Sequence, residues 1–223
     1  MNTTLAIVGC GPRLEVALRI RHIEAPGLVV LAGPTPRSDL IMAAVELLVR
    51  AAGLAPADIE AVVATRGPGS FTGIRVALAT AQGLAAALGI PAVGLPSLLV
   101  QAARTVTSPV LAAQPARRGH LYVQEFRRED HNSLPVAAGE VRVVALNEFG
   151  SLRLPLVAPS GVELPPGAAT APVASASAEA LLDVAARLAA ADPDSLVPIY
   201  VEPPPAVPPN RTAKPWPPSP TTS

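Results

Sequence analysis

The chain has 223 residues, half of them apolar, which is enough to bury the core of one domain or of two small ones. Seventeen Lys and Arg residues balance seventeen Asp and Glu residues, so a net charge of zero disfavours direct binding to nucleic acid or to an anionic membrane. Aromatic residues make up only 3%, which also disfavours a base-stacking surface. The single cysteine, Cys10, excludes an internal disulfide, and clustered Cys and His ligands for structural zinc are missing. The N-terminus has no basic segment and no apolar run is long enough to span a bilayer, so we expect a soluble, cytoplasmic protein.

The first segment of the chain combines short apolar runs with one long helical stretch. Strands are predicted over residues 3–8, 14–20 and 28–32. A first helix follows, with Ser38 and Asp39 as its N-cap. Gly53 stands directly after Ala52, where it is placed to end the helix in the left-handed conformation.

The next segment places a glycine-rich loop between a strand and a helix. Ala61–Ala64 predicts a buried strand, Gly67–Gly73 the loop, and Ile74–Leu88 a second helix that Thr72 caps and Gly89 ends. A further strand and a further helix are predicted over residues 92–95 and 97–105.

From Pro109 the sequence changes to shorter, looser elements. Strand-like pieces are predicted over residues 110–113, 120–126 and 140–144. A last helix is predicted over residues 175–191, where Glu179, Asp183 and Arg187 recur at spacing four as a solvated stripe with one favourable charge pair. Nine prolines in the last 21 residues favour extended, unpacked backbone. We therefore divide the chain into an N-terminal subdomain over residues 1–106, a smaller C-terminal subdomain over 107–202 and a disordered tail over 203–223.

The most informative stretch is RGPGSFTGIR, residues 66–75, which packs three glycines and a proline between a strand and a helix N-terminus. Glycine permits close backbone approach and the helix dipole favours negative charge, so such a turn suits either an anion or another chain segment. The stretch lacks the Gly-Lys-Ser/Thr of ATPase phosphate loops, and Ser70 lacks the flanking glycines of a hydrolase nucleophile elbow. A tight strand-to-helix crossover would explain the glycines equally well. The motif residues are Arg66, Gly67, Pro68, Gly69, Ser70, Phe71, Thr72, Gly73 and Arg75.

The string RGPGSFTGIRVALATAQGLAAALGIPAVGLPSL, residues 66–98, closely resembles the signature of the TsaB (YeaZ) family of tRNA threonylcarbamoyladenosine biosynthesis proteins. Looser likeness extends over residues 3–202, including LAPADI at 54–59, ARRGHLY at 116–122 and PIYV at 198–201. The resemblance implies an α/β, actin-like ATPase (ribonuclease H-like) fold, with a mixed sheet, helices on its faces and two small subdomains. It also implies a non-catalytic subunit that pairs with a homologous TsaD-like subunit, which holds the metal and the nucleotide. A TsaE-like ATPase as a further partner, tRNA contact only through the complex, and a homodimer when the chain is alone follow from the same resemblance.

Two positions depart from the pattern of this family. Its members usually open with an Ile-Asp-Thr-Ser-like stretch whose Asp serves metal and phosphate in the actin-like fold, and this chain has Val8–Cys10 there. Arg37 stands where members often carry a His at the start of the first helix. The His-x-x-x-His pair of the catalytic paralogue is missing, and His22, His120 and His131 are dispersed. We therefore expect no catalytic, cofactor-binding or metal-binding residues in this chain.

Both helices that flank the glycine loop are apolar around nearly their whole circumference. In the first helix only Glu46 and Arg50 are charged after residue 40, and the second is similar. A helix that covers a sheet normally shows a polar outer face, so the surplus predicts an interface of about 1,600 Å² in total. Alanine enrichment from a GC-rich genome is the alternative, and it fits the second helix better than the first. The predicted interface residues are Leu40, Ile41, Ala44, Val45, Leu47, Leu48, Leu78 and Ala81.

Two other functions stay open. A stand-alone small-molecule kinase or ATPase of the same fold would use the glycine loop for phosphate, but its nearest acids are Asp39, Asp58 and Glu60, and the first two are typical of helix caps. A peptidase-like hydrolase, suggested by old labels of the superfamily, would need Ser70 beside one of the dispersed histidines, and no spacing supports that pairing.

Overall fold

The computed structural model describes residues 3–33, 35–151, 153–188 and 195–201, and within them the strands form two sheets. The first sheet contains β1 (Thr3–Val8), β2 (Leu14–Ile20), β3 (Gly27–Leu31), β4 (Ala61–Thr65) and β5 (Ala92–Leu95). The second contains β6 (Val110–Pro115), β7 (His120–Arg127), β8 (Val136–Ala137), β9 (Arg142–Ala145) and β10 (Leu156–Val157). The helices are α1 (Arg37–Ala51), α2 (Phe71–Leu88), α3 (Ser97–Ala103) and α4 (Ser177–Arg187), with short 3-10 turns at Pro56–Asp58 and Leu146–Ser151. The mixed sheets with helices on their faces confirm the predicted α/β class.

Strand β1 lies at the centre of the first sheet, whose order is β3-β2-β1-β4-β5. It pairs antiparallel with β2 (Leu5 opposite Leu18) and parallel with β4 (Leu5 opposite Val62). Side chains of β1 alternate between two cores, with Leu5 and Ile7 facing α1 and α2, and Ala6 and Val8 facing α4. Because helices cover both faces of the first sheet, the sequences of β1 and β4 are nearly continuous apolar runs. Their predicted positions are confirmed.

The ends of α1 and α2 agree with the sequence at their C-termini and differ at their N-termini. Gly53 and Gly89 adopt φ of +69° and +67°, as predicted for residues that end a helix. Helix α1 begins at Arg37, so Ser38 and Asp39 lie inside its first turn and the predicted N-cap is wrong. There the Ser38 hydroxyl donates to the Asp39 carboxylate (3.0 Å).

The cap of α2 is Ser70, because its Oγ accepts a hydrogen bond from the Gly73 N–H at 3.3 Å. The prediction of Thr72 as the cap is therefore wrong, and the helix begins at Phe71. Among the described residues, α2 is also the one helix long and apolar enough to cross a membrane by composition. Its inner face, which includes Ile74 and Ala77, packs in the core beneath the sheet, as in a core helix.

Helix α4 returns to the first sheet, where it packs against β1, β2 and β4 and against α3. The two sheets lie on either side of the boundary predicted after residue 106, but α4, assigned by that prediction to the second subdomain, packs on the first. Asp183 pairs with Arg19 of β2 at 2.7 Å, and Arg187 donates to the Asn132 carbonyl, so the predicted stripe is tied to neighbouring elements. Residues 189–191 of the predicted helix and the predicted tail, 203–223, lie outside the described residues.

Two fully buried glutamines differ in how their side chains are satisfied. Gln101 donates to the Ser177 hydroxyl (3.1 Å) and accepts from Arg104 (2.7 Å), so both ends of its amide are paired. Gln114, on β6, has no hydrogen-bond partner for either side-chain atom within the described part of the chain. A buried polar group without a partner costs about 1–3 kcal/mol.

Replacing Gln114 with Leu should therefore raise the free energy of unfolding by about 1 kcal/mol, because the substitution removes two unpaired polar atoms at similar volume. Gln101→Leu is the matched control and should lower it by about 1–3 kcal/mol, since it leaves Arg104 and Ser177 short of a partner. Urea unfolding followed by circular dichroism measures both. A loss of stability in Gln114→Leu would show that its amide has a partner in solution.

Candidate functional site

The glycine loop, residues 67–73, and Arg66 directly before it lie between two other segments of the same chain. On one side is the first turn, residues 9–13, which connects β1 to β2. The Ser70 N–H donates to the Cys10 carbonyl at 2.8 Å. Gly69 has φ of +146°, and a Cβ there would lie 2.5 Å from the Cys10 oxygen. Only glycine therefore allows the loop to approach this turn so closely.

On its other side the loop contacts the C-terminal segment, residues 195–201. The Ile199 N–H donates to the Arg66 carbonyl at 2.7 Å. Gly67 has φ of +107°, and a Cβ there would lie 2.6 Å from the Ile199 oxygen. The two glycines thus allow the loop to pack closely against the chain's own backbone. This agrees with the interpretation of the motif as a tight strand-to-helix crossover.

The first turn and the N-terminus of α2 also touch through two glycines. A Cβ on Gly9 would collide with the Gly73 carbonyl, and a Cβ on Gly73 would collide with the Gly9 carbonyl. The Gly9 N–H lies 3.4 Å from the Thr65 hydroxyl at the end of β4. The turn and α2 are consequently held together by main-chain contacts, and the end of β4 is joined to them through the Thr65 hydroxyl.

Arg37 joins α1 to this junction, a role that the sequence did not reveal. Its Nη1 donates to the Gly9 carbonyl (2.9 Å) and to the Ser70 hydroxyl (3.2 Å), and its Nη2 donates to the Gly11 carbonyl (2.6 Å). The side chain is half-buried, and desolvation lowers the pKa of the guanidinium from its usual value. In the sequence, Arg37 stood out only as a departure from the family's usual His.

The residues of the first turn do not fit a metal-bound phosphate. The carbonyl oxygens of Gly9, Cys10 and Gly11 already accept hydrogen bonds from Arg37 and the loop, and Val8–Cys10 supplies no carboxylate. Glu15 on β2 is buried and accepts from the Ser177 hydroxyl and the Ala178 N–H at the start of α4. No group of three or more His, Cys, Asp or Glu residues arranged to hold a metal occurs in the described ranges.

Ser70 and the histidines occupy separate places. The Ser70 Oγ contacts the Gly73 N–H and Arg37, which are the contacts of a helix cap. His120 lies on β7 of the second sheet, where its ring nitrogens contact the Arg118 carbonyl and the Arg117 guanidinium, and His22 and His131 are exposed. The predicted dispersion of the histidines is confirmed, and these contacts give the hydrolase hypothesis no support.

The exposed face of α1 differs from the predicted interface. Leu47 is 59% exposed and Met42 49%, while Leu40 is half-buried. The other six predicted residues are buried in the chain's own core, so their assignment to a partner surface is wrong: Ile41, Ala44, Val45, Leu48, Leu78 and Ala81. Because α1 is apolar nearly all round, its sequence could not indicate which side meets the sheet.

Both helices carry exposed positions on the side that faces away from the first sheet. We call this set the outer face; it comprises Met42, Ala43, Glu46, Leu47 and Arg50 of α1, and Ala79, Gln82, Gly83 and Ala86 of α2. Glu46 and Arg50, which the sequence singled out as the charged residues of this helix after residue 40, form an exposed ion pair at 3.2 Å. The apolar side chains of the outer face on α1 confirm that this helix has more apolar side chains than the sheet can cover.

Phe71, Arg75 and Tyr200 form a second exposed cluster at the start of α2. The two aromatic rings lie 5.4 Å apart, and the Arg75 guanidinium lies 4.3 Å from the Phe71 ring centre. The Arg75 Nε also donates to the Tyr200 hydroxyl at 3.2 Å. Since Gln82 donates to the Leu196 carbonyl as well, the C-terminal segment is fastened along α2.

Comparison with known proteins places this arrangement in a family. A model of the TsaD family, tRNA N6-adenosine threonylcarbamoyltransferase, matches residues 37–162, more than half of the chain. The chain belongs to this family, in its TsaB (YeaZ) branch. YeaZ from Pseudomonas aeruginosa superposes with a TM-score of 0.68 at 26% identity, over 90% of this chain and all of that one, in agreement with the predicted actin-like fold.

Two curated relatives in the TsaB branch carry the name tRNA threonylcarbamoyladenosine biosynthesis protein TsaB. The protein from Escherichia coli is 34% identical over 102 residues, which cover 44% of each chain. The protein from Haemophilus influenzae is 34% identical over 131 residues, 57% of this chain and 55% of that one. The chain thus spans about half the length of the curated relatives it matches.

The close approach of the loop to the first turn can be tested with two glycine substitutions. Gly69→Ala should lower the free energy of unfolding by about 2 kcal/mol or more, because its φ and the nearby Cys10 oxygen both exclude a side chain. Gly83→Ala is the control: it lies in α2 with open space around it and should raise the same quantity by about 0.5–1 kcal/mol. Equal effects in thermal or urea unfolding would contradict the packing described.

The thiol of Cys10 gives a pH-dependent test of the same junction. It is fully buried and donates to the Thr65 hydroxyl (3.1 Å), and burial raises the pKa of the thiol from 9.0 to about 11. The stability that this neutral thiol contributes is complete below pH 9 and is lost as the pH rises toward 11. Between pH 9 and 11 the free energy of unfolding should therefore fall by about 2–3 kcal/mol less in Cys10→Ala than in the wild type, as measured by urea unfolding. Parallel curves would show that the thiol ionises as readily in the folded chain as in the unfolded one.

Proposed function

We propose that the chain is a non-catalytic assembly subunit in the biosynthesis of threonylcarbamoyladenosine at position 37 of tRNA. It acts by pairing its outer face with a homologous TsaD-like catalytic subunit. The observation that carries this proposal is the exposure of Leu47 and Met42 on a helix whose opposite side is already packed against the sheet. Apolar side chains left uncovered in this way favour a protein partner.

Family membership supports the reaction pathway in this proposal. The matched relatives from E. coli and H. influenzae are named for threonylcarbamoyladenosine biosynthesis, and the match to the P. aeruginosa protein extends over nearly the whole chain. Cytoplasmic location, a TsaE-like ATPase as a further partner, tRNA contact only through the complex and a homodimer in the absence of the partner belong to the same proposal.

The non-catalytic role is supported by the closed junction around Arg37. The Arg37 guanidinium and the Ser70 N–H already donate to carbonyl oxygens of the first turn, so a nucleotide phosphate that used these donors would have to displace the carbonyl acceptors. We therefore assign the nucleotide and the metal to the TsaD-like partner. A stand-alone kinase or ATPase is the alternative, and binding of Mg·ATP by the isolated chain in calorimetry would favour it.

The outer face can be tested with Leu47→Asp. A carboxylate at position 47 would lose its hydration when a partner covers the outer face, and the nearby Arg50 is already paired with Glu46. Binding to the cognate TsaD-like subunit should therefore weaken by about tenfold or more. Size-exclusion chromatography and calorimetry measure the effect. The change should leave the melting temperature nearly unaltered, because Leu47 is exposed. Leu48→Asp is unsuitable, since Leu48 is buried and its replacement would disrupt the core.

Val136→Asp is the control for this experiment. Val136 is 66% exposed on β8 of the second sheet, away from α1, so its replacement should not change partner binding. Undiminished binding of Leu47→Asp would refute the outer face as the contact surface. Failure of the wild-type chain to bind would refute the pairing itself.

A further inference from the structure

Arg37 contacts the N-termini of both helices of the outer face. It is the first residue of α1, and its guanidinium reaches the carbonyl oxygens of Gly9 and Gly11 and the hydroxyl of Ser70. Ser70 is in turn the N-cap of α2. One side chain therefore connects the beginning of α1, the first turn and the beginning of α2.

The surroundings of Arg37 leave little room for movement at the first turn and at α2. Gly9 and Gly73 are in main-chain contact, and a Cβ on Gly73 would also collide with the Arg37 guanidinium. The Ser70 N–H is bonded to the Cys10 carbonyl. The turn and α2 thus form one unit. The core contacts of Ile41 and Leu48 hold the middle of α1, whereas the fork of donors on Arg37 joins its N-terminus to this unit. A planar guanidinium can satisfy two carbonyl oxygens at once, which a lysine ammonium cannot do in the same geometry.

We infer that Arg37 is a positioning residue for the partner surface: its guanidinium fixes the N-terminus of α1 relative to α2 and so keeps Met42 and Leu47 aligned with the exposed side of α2. This inference rests on the proposed function, in which the outer face receives a TsaD-like subunit. Met42 and Leu47 lie about one and a half and about three turns from Arg37 along α1. A shift of the helix start would therefore displace both side chains relative to Ala79 and Gly83.

The test compares three variants. Arg37→Met retains an unbranched stem and removes every donor, and Arg37→Lys retains the charge without the planar fork. Arg128→Met is the matched control, because Arg128 is also half-buried and also donates to main-chain carbonyls, those of Ala102 and Ala103 at the end of α3. It should affect stability through a junction remote from the outer face.

The first measurement is hydrogen–deuterium exchange in the free chain. The amides of Ile41 and Met42, in the first hydrogen-bonded turn of α1, should exchange about tenfold faster in Arg37→Met than in the wild type, because the N-terminus of α1 loses the donors that hold it to the first turn. Arg128→Met should leave these two amides unchanged. Unaltered exchange in Arg37→Met would overturn the inference.

The second measurement is calorimetric affinity for the cognate TsaD-like subunit, below the melting temperature of each variant. Arg37→Met should bind about tenfold more weakly, Arg37→Lys should be intermediate, and Arg128→Met should match the wild type. Binding of Arg37→Met within about twofold of the wild type would overturn the inference, as would an equal loss in Arg128→Met. If Arg37→Met does not fold, Arg37→Lys decides by the same criteria. No binding by the wild-type chain would instead refute the proposed function, and the exchange measurement would still decide whether Arg37 holds the junction.

Discussion

Close main-chain contact around the glycine loop is the constraint on which the rest of the structure depends. Gly69 approaches the Cys10 carbonyl on one side, and Gly67 approaches the Ile199 carbonyl on the other. With side chains at either position, the loop would be pushed away from the turn or from the C-terminal segment. Because α2 begins directly after this loop, its place on the sheet is set by these contacts. The glycine motif is thus a packing device for the chain's own backbone, although the same residue types could have formed an anion site.

Local signals in the sequence predicted most elements correctly, since they depend on a few neighbouring residues. The continuous apolar runs of β1 and β4 and the glycines that end α1 and α2 are examples. The helix caps were harder, because Ser70 and Thr72 carry equivalent hydroxyls and only backbone geometry decides which one caps.

Features that depend on distant parts of the chain could not be predicted. Helix α4 is nearly 160 residues from β2 in sequence, yet it packs on the first sheet. The buried Glu15 of β2 accepts hydrogen bonds from the N-terminus of α4. The inner side of α1 was equally hidden, since a nearly uniform apolar surface has no preferred face in the sequence. The surplus of apolar side chains was predictable, whereas the exposure of Leu47 and the burial of Leu48 depend on how the helix meets β2 and β3.

The two departures from the family's pattern have a single physical explanation. A turn that carries a carboxylate requires a cation from outside, whereas the turn Val8–Cys10 has only carbonyl oxygens to satisfy. The Arg37 guanidinium supplies a permanent positive charge and donors of suitable geometry from within the chain. In this chain the acid-free turn and Arg37 therefore fit each other, because the carbonyl oxygens of Gly9 and Gly11 accept from a donor of the same polypeptide. Under the proposed function, a chain built in this way holds its helices in position while a TsaD-like partner carries out the chemistry.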